Sequence, residues 1–383
     1  MLELVGIVLV LVPALYYSVY GLMIKRLAMR LPNWSRDKAF TPFVSVIIPT
    51  FNERRTIQER VRNLEQLEYP TSSLEVIFVD GASNDGTPQI IGQLGIGRPF
   101  VHLLQQPTRE GYNSAVYEGI CKASSSLIVM ADAGSMFHPG AISAIIRNLA
   151  DPSIGAATGK AVFHNPSESL ATRLEAAFRS NNDQLRIAES NIDSTVDMKG
   201  ELLAFRKDIG LRLRPRENLP DTAAFDTSIG YMSRSLGYRA VFDPKAMFYE
   251  YAPSTIRERF KVQLTRGTTF TGALWRFRTM VLNRKFGSYG LIILPSRFLM
   301  LIVFPWMLLA APFVLIWEAM VQPMVAPIAL ALMGLVGLLL LHPKTRIAFL
   351  SFSLSQFILV IVTLRLLLKR HTHFIHTAQT TRR

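Results

Sequence analysis

The pattern of apolar and polar positions separates long apolar runs at the two ends of the chain from a mixed segment between them. The first run, Leu2 to Ile24, is long enough to cross a bilayer and is followed directly by Lys25 and Arg26. Three further runs lie near the other end: about Leu291 to Trp317, Met324 to Leu341 and Ile347 to Leu368. We therefore predict an N-terminal transmembrane helix over residues 1–24 and about three C-terminal transmembrane helices over residues 291–368.

The basic residues around these runs predict an orientation. Lys and Arg concentrate on the cytoplasmic side of membrane proteins, so Lys25 and Arg26 place the linker 25–42 and the mixed segment after it in the cytoplasm of a cell-membrane protein. A signal peptide is the alternative, but in signal peptides the basic residues precede the apolar run. The basic tail, residues 369–383, does not agree, because four full spans would carry it outside. Either one C-terminal run fails to span or the charge rule is broken here.

The mixed segment alternates between strand-like and helix-like patterns. Short, nearly continuous apolar runs such as "FVSVIIPT", "LEVIFVD" and "SLIVMAD" are typical of buried strands, and the stretches between them have helical spacing. Strands of this kind that alternate with helices form sheets whose two faces are both covered. We therefore predict an α/β fold with a mostly parallel sheet, flanked by helices, over residues 43–253.

Polar residues follow several of the predicted strands at the point where each strand ends. Thr50 and Glu53 follow the first strand, Asp80 ends the second, and Asp132 follows a later one. Ligands of open α/β sheets bind beyond the carboxyl ends of the strands. Taken singly, each of these residues is also an ordinary turn or cap residue. Together, at one edge of a sheet, they indicate a binding site.

Composition and charge narrow the chemistry. The chain has 383 residues, with 42 Lys and Arg against 28 Asp and Glu, and its single cysteine, Cys121, excludes an intramolecular disulfide and a CxxC zinc site. Basic residues concentrate between 254 and 290, among apolar residues at helical spacing. This pattern predicts basic amphipathic helices at a membrane surface, with lipids as partners, although a solvated basic face is the alternative. No nucleic-acid partner is expected, because the charges abut the apolar runs and no recognition motif accompanies them.

Three motifs resemble the membrane-bound inverting glycosyltransferases of the second family, which have the GT-A nucleotide-sugar fold. The resemblance extends over about residues 44–270. "VSVIIPTFNE" is similar to the family's opening strand and base-binding loop, "VIFVDGASNDGT" to its second strand, and "TREGYNSAVYEGI" to a nucleotide-binding loop and helix. The resemblance implies a bound nucleotide-diphosphate sugar, with contacts from these residues: Pro49, Thr50, Glu53, Asp80, Arg109, Gly111 and Asn113.

The segment "MADAGSMFHPGAI" resembles the family's Asp-x-Asp motif, with Asp132 at the first Asp and Gly134 at the second. In the family the second carboxylate is the usual ligand of a divalent cation, Mg²⁺ or Mn²⁺, that bridges the donor diphosphate. Its absence here puts metal binding in doubt. Because Mg²⁺ can be held by one or two carboxylates together with substrate phosphates and water, Asp132 is expected to suffice as the metal ligand.

Two aspartates are candidates for the catalytic base that inversion requires. "AAFDTSIGYMSRSLGYRAVFDP" resembles the family segment in which Glu-Asp precedes a helix, which assigns the base to Asp226, with Phe225 in place of the usual Glu. Asp221, in "LPDTAAF", is the competitor, but it also suits a helix N-cap. We prefer Asp226.

Further along the chain, Gln263 and Arg266 match the family's Gln-x-x-Arg-Trp motif, and Gly267 stands where the Trp would be. In the family that Trp helps to hold the acceptor and is typical of processive polymerases, whereas Arg266 would stabilise the leaving diphosphate. The resemblance implies transfer of a sugar from a UDP-sugar to a lipid-linked or membrane-emerging saccharide acceptor. Two alternatives remain open: a processive polysaccharide synthase, and a catalytically silent homologue that binds a nucleotide-sugar or a partner synthase.

Overall fold

An eight-stranded mixed β-sheet forms the centre of the chain in this computed structural model, which describes residues 5–30, 32–37, 39–219 and 223–368. The strand order across the sheet is β3-β2-β1-β4-β7-β6-β8-β5. The strands are β1 (Val44–Thr50), β2 (Leu74–Asp80), β3 (Val101–Gln105), β4 (Leu127–Met130), β5 (Met136–Phe137), β6 (Ile154–Phe163), β7 (Leu203–Arg206) and β8 (Arg239–Glu250).

The first four strands are all parallel, as the sequence predicts. Strand β1 pairs with β2 and β4, and β2 pairs with β3; the register sets Thr50 beside Asp80 at the carboxyl edge. The second half of the sheet adds antiparallel pairs, between β4 and β7, β6 and β7, and β5 and β8. The α/β fold class is therefore confirmed, with a sheet that is mixed overall.

Helices cover both faces of this sheet, and the apolar side chains of the strands are buried beneath them. In chain order the helices up to the last strand are α1 (Val5–Ala28), α2 (Ile57–Glu65), α3 (Thr87–Gly95), α4 (Tyr112–Lys122), α5 (Ala141–Ile146), α6 (Leu170–Ile192), α7 (Lys207–Gly210) and α8 (Phe225–Ser235). After the last strand come α9 (Ile256–Arg276), α10 (Tyr289–Val321), α11 (Ala326–Leu341) and α12 (Pro343–Leu367).

Three of the described helices, α1, α10 and α12, are long and apolar enough to cross a membrane. Helix α11 has 16 residues. At 1.5 Å per residue its length is about 24 Å, shorter than a hydrocarbon core of about 30 Å. Helices α1 and α10 are joined by two hydrogen bonds, because the Gly6 amide donates to Glu318 at 3.1 Å and the Tyr16 hydroxyl donates to Ser296 at 2.7 Å.

Helix α9 differs from the surface helix expected in the 254–290 segment. It exposes Ile256 and Trp275, but it buries Arg259 and Gln263 where it packs against α6 and α12. The Arg259 side chain lies 3.3 Å from Glu175 of α6. Part of the basic charge that the sequence places at a membrane surface is therefore neutralised inside the protein, while the location of the exposed face stays a prediction.

Candidate active site

A pocket that is open to solvent lies beyond the carboxyl ends of β1 and β2. Four of the residues predicted to bind a nucleotide line it, namely Pro49, Thr50, Arg109 and Gly111. The remaining lining residues are Phe51, Gly81, Tyr112 and Ala115. The pocket therefore lies at the sheet edge where the strand pattern predicts a binding site.

The two ends of the 109–111 segment shape the mouth of this pocket. The Arg109 guanidinium lies 3.7 Å from the centre of the Phe51 ring, a cation–π contact that holds the two side chains together. Gly111 has φ of 94°, in the region that favours glycine, which lets the chain turn directly into α4.

Three other predicted nucleotide contacts make hydrogen bonds within the protein and are not among the residues that line the pocket. Asp80 is buried and accepts from the Ser83 amide at 2.9 Å and the Ser83 hydroxyl at 2.5 Å. Glu53 accepts from the Thr56 hydroxyl at 2.5 Å, and burial raises the pKa of its carboxyl. The Asn113 amide donates to the Ala223 carbonyl at 3.1 Å. All three remain predictions as nucleotide contacts.

Tyr112 joins the pocket to the carboxylates Asp132 and Asp226. Its hydroxyl donates to Asp132 Oδ1 at 3.0 Å. Asp226, in the first turn of α8, accepts from the Gly200 amide at 2.9 Å. A β-carbon built on Gly200 would lie 3.2 Å from the Tyr112 hydroxyl and 3.3 Å from Asp226 Oδ2, so the Tyr112 hydroxyl that contacts Asp132 also lies close to Asp226.

The charge environment shifts both carboxylates toward their protonated forms. Burial, followed by the negative charge of Glu201, raises the pKa of Asp132 to about 7. The same two causes, in the same order, raise the pKa of Asp226 to about 6. Two carboxyl groups with strongly shifted pKa values beside a pocket are typical of a functional site.

Glu201 and Tyr112 are site residues that the sequence reasoning missed. Glu201 is buried just before β7, and its carboxylate accepts from Arg266 at 3.1 Å. Burial disfavours the charge of Glu201, but Arg266 and then Lys199 hold the pKa of its carboxyl below the ordinary value. The signals available were a lone carboxylate in the apolar stretch "GELLAF" and an aromatic residue directly after Gly111.

Arg266 and Gln263 take different positions. Arg266 is half-buried and reaches three carboxylates, Glu201 at 3.1 Å and Glu175 and Glu250 at 3.8 Å. Gln263 instead donates to Glu175 at 2.9 Å and accepts from Ser355 of α12, so it lies in the packing between helices. Asp221, the competing base, lies outside the described residues.

Within the described part of the chain, no group of three or more His, Cys, Asp or Glu side chains is arranged to hold a metal ion. A cation bound here would therefore need oxygen ligands from the substrate beside Asp132. This requirement fits Mg²⁺ or Mn²⁺ on a diphosphate, because Mg²⁺ commonly keeps waters and takes one or two carboxylates plus substrate phosphates. A cation would also oppose the two causes that raise the pKa of Asp132, which are burial and then the negative charge of Glu201.

Residues 45–209 match the family model described as glycosyl transferase family 2. Among curated proteins, the chain is 27% identical over 157 residues to the glycosyltransferase AglE of Haloferax volcanii, covering 41% of this chain and 52% of that protein. It is 26% identical over 265 residues to the probable glycosyltransferase YdaM of Bacillus subtilis, covering 67% of this chain and 62% of that protein. The matched region thus spans less than two thirds of either relative's length.

A solved structure matches nearly the whole chain. The mannosyltransferase PcManGT from Pyrobaculum calidifontis, in complex with GDP-Man and Mn²⁺, superposes with a TM-score of 0.79 at 25% sequence identity. The superposition covers 97% of this chain and 100% of that chain. The family model, the relatives and this structural match agree with one another. Residues 45–209 thus match a glycosyl transferase family 2 domain, and the chain that carries this domain has the GT-A fold.

Proposed function

We propose that this protein transfers a sugar from a nucleotide-diphosphate donor to an acceptor hydroxyl with inversion, and that Asp226 is the catalytic base. The observation that carries the proposal is the position of Tyr112, which lines the pocket and donates a hydrogen bond to Asp132. Its hydroxyl also lies beside Gly200, whose amide donates to Asp226. Donor pocket, cation ligand and base are then contiguous. Single-displacement transfer requires this arrangement, since all three groups act on one bond exchange.

The donor would occupy the pocket at the ends of β1 and β2, with its diphosphate directed toward Asp132. The complex of PcManGT with GDP-Man and Mn²⁺ supports a nucleotide-sugar donor and a divalent cation. The sequence resemblance favours a UDP-sugar, whereas that neighbour binds a guanine nucleotide. When bound, the cation would be held by Asp132 and the diphosphate, and it would supply positive charge to the leaving group.

The chain's own residues take up the proton of the acceptor and stabilise the leaving group. Asp226 takes the proton of the acceptor hydroxyl as its oxygen bonds to the anomeric carbon from the face opposite the diphosphate. The bond from that carbon to the phosphate oxygen breaks, and the nucleoside diphosphate leaves with both bonding electrons. A pKa of about 6 makes Asp226 a stronger base than an ordinary aspartate while leaving it mostly ionised at neutral pH. Arg266, held by Glu201, places positive charge beside the departing diphosphate.

The acceptor is proposed to be lipid-linked, or a saccharide that emerges at the membrane. Helix α9, which carries Arg266, packs directly on the apolar helix α12, so the site lies next to the segments able to enter a bilayer. We propose further that the protein lies in the cell membrane with its catalytic domain in the cytoplasm, since Lys25 and Arg26 end helix α1.

The test is release of nucleoside diphosphate from a panel of UDP- and GDP-sugars by the full chain in lipid, with and without Mn²⁺ or Mg²⁺. We expect release from one donor that depends on the cation, and a fall of roughly 10²–10⁴-fold in Asp226→Asn with nucleotide binding retained. Asp208→Asn, at an exposed position on α7, is the matched control and should keep full activity. Full activity in Asp226→Asn would remove Asp226 as the base. Binding without release from any donor would favour the silent homologue.

A further inference from the structure

The side chain of Gln106, directly after β3, is buried with no hydrogen-bond partner. It is 4% exposed, and neither its amide oxygen nor its amide nitrogen has a partner in the described structure. A buried amide without hydrogen-bond partners is unfavourable, because it has lost its hydrogen bonds to water, so such groups are rare in native proteins unless a ligand completes them.

The unpartnered amide lies against the lining of the nucleotide pocket. The backbone amide of Gln106 donates to the Asp80 carbonyl at 2.9 Å, which fixes the residue beside the end of β2. Gly81 is the next residue after Asp80 and lines the pocket. A β-carbon built on Gly81 would have three nearest neighbours: Gln106 Oε1 at 3.6 Å, the Thr50 carbonyl at 3.6 Å and Phe51 Cδ2 at 3.9 Å.

The space over Gly81 therefore has hydrogen-bonding groups on one side and an aromatic ring on the other. Gln106 offers both a donor and an acceptor, and the Thr50 carbonyl has a second lone pair besides the one used by the Gly81 amide. The Phe51 ring provides a flat apolar surface and carries Arg109 on one face. A planar heterocycle with a polar edge is complementary to both sides: its edge matches the hydrogen-bonding groups, and its flat face matches the Phe51 ring.

Asp80 is less available to bind such a heterocycle than the resemblance implies. Each of its carboxylate oxygens already accepts from Ser83, through the backbone amide and the hydroxyl. Those bonds fix the turn after β2 and do not depend on a ligand. Gln106, in contrast, has both of its amide groups unused next to the same turn.

We propose that Gln106 is the residue that selects the base of the donor nucleotide. This inference rests on the proposed function. The amide oxygen accepts from a ring N–H and the amide nitrogen donates to the adjacent ring carbonyl. Uracil and guanine share such an edge, whereas cytosine and adenine present no ring N–H there. Gly81 serves the same recognition by leaving the space between Gln106 and Phe51 open.

The experiment measures dissociation constants of UDP, GDP, CDP and ADP for the full chain in lipid nanodiscs, in the presence of Mn²⁺. The wild type is expected to prefer UDP or GDP. Gln106→Leu keeps the shape and breaks no hydrogen bond within the protein, so it should fold normally. The variant should raise the dissociation constant of the preferred nucleotide by about 10- to 100-fold and abolish the preference among the four bases.

Two further variants separate uracil from guanine and test the space itself. Gln106→Glu offers two acceptors, which suit the adjacent N–H groups of guanine. This variant should therefore still bind GDP but should no longer bind UDP. In Gly81→Ala the new methyl group makes only ordinary contacts with its neighbours, yet it fills the space over Gly81 and should weaken binding as Gln106→Leu does. Gln105→Leu, at the exposed neighbouring position, is the matched control and should leave all four constants unchanged.

The outcomes distinguish failure of the proposed function from failure of the role proposed for Gln106. A wild-type protein that binds none of the four nucleotides would overturn the proposed function, and this inference with it. A wild type that binds nucleotide and transfers sugar, while Gln106→Leu keeps both affinity and base preference, would overturn the inference alone. A preference for CDP or ADP would also overturn it.

Discussion

At the scale of single residues, the proposed role of Asp226 as the catalytic base predicts that sugar transfer depends on pH. A base is active when deprotonated, and burial together with Glu201 raises the pKa of Asp226 from 3.8 to about 6. We therefore expect kcat to fall about tenfold per pH unit below about 6, rather than below about 4 as for an ordinary aspartate. The measurement is kcat against pH at saturating donor, with thermal unfolding recorded at each pH to exclude loss of the fold. A kcat that stays constant down to pH 5 would contradict this assignment.

Some residues of the candidate site could be predicted from the sequence and others could not. Thr50 was predictable as a pocket residue because it ends a strand, and Pro49, Arg109 and Gly111 were predictable because they lie in motifs that resemble the family's. Glu201 was not, since its meaning depends on Arg266, which lies 65 positions further along the chain. Gln106 was also not predictable, because a glutamine after a strand is usually a surface residue. Only the structure shows that its side chain is buried and lacks hydrogen-bond partners.

At the scale of elements, a buried charge cluster joins α6, α9 and α12. Glu175 of α6 lies 3.4 Å from Arg179 and 3.3 Å from Arg259, and it accepts from Gln263. Burial disfavours its charge, but Arg179, Arg266 and Arg259 hold the pKa of its carboxyl below the ordinary value. Arg259 in turn lies 3.4 Å from the Ser351 hydroxyl of α12.

We expect Glu175→Gln to destabilise the fold by about 3–5 kcal/mol, because it leaves buried arginines without a compensating charge. The measurement is the thermal unfolding midpoint in detergent. Glu59→Gln, at an exposed position of α2, is the matched control and should not change the midpoint. Equal midpoints for the two variants would show that the cluster adds nothing to the stability of the helix packing.

Gly267 lets helices α9 and α12 pack closely. A β-carbon at this position would lie 3.1 Å from Val362 Cγ2 of α12, a buried side chain, so the Trp of the family motif has no room unless α12 moves. We expect Gly267→Trp to lower the unfolding midpoint and to leave the product at single additions. Gly334→Trp on α11, where nothing lies within 4 Å, is the control. Longer products from a stable Gly267→Trp variant would instead indicate that this glycine alone prevents processive synthesis.

The sheet shows which elements a sequence can predict. The four parallel strands and the helices between them follow from local apolar runs and helical spacing, and the structure has them where expected. The antiparallel half does not follow, because the pairing of β7 with both β4 and β6 unites segments far apart in the chain. Likewise, the spacing of α9 predicts a helix, but only the packing of α6 and α12 decides which of its basic residues are buried.

At the scale of the whole molecule, the lengths of the apolar helices suggest how the basic tail is placed. Four spans would carry residues 369–383 to the side opposite the catalytic domain, against the charge rule. The described helices long enough to cross number three, since α11 has only 16 residues. With α1, α10 and α12 as spans, the catalytic domain follows the first crossing and the tail follows the third. Both then lie on the same side of the membrane, where basic residues are favoured.

We therefore expect the tail to be cytoplasmic and the connection between α10 and α11 to be external. The test uses Cys121→Ser as background, because Cys121 is exposed and would itself react. A cysteine introduced as Thr381→Cys should react with a membrane-impermeant maleimide only after the cells are permeabilised. Met324→Cys, at a residue 87% exposed between α10 and α11, should react in intact cells. Labelling of both positions in intact cells would instead make α11 a fourth span, and the bilayer would then have to thin around a helix of about 24 Å.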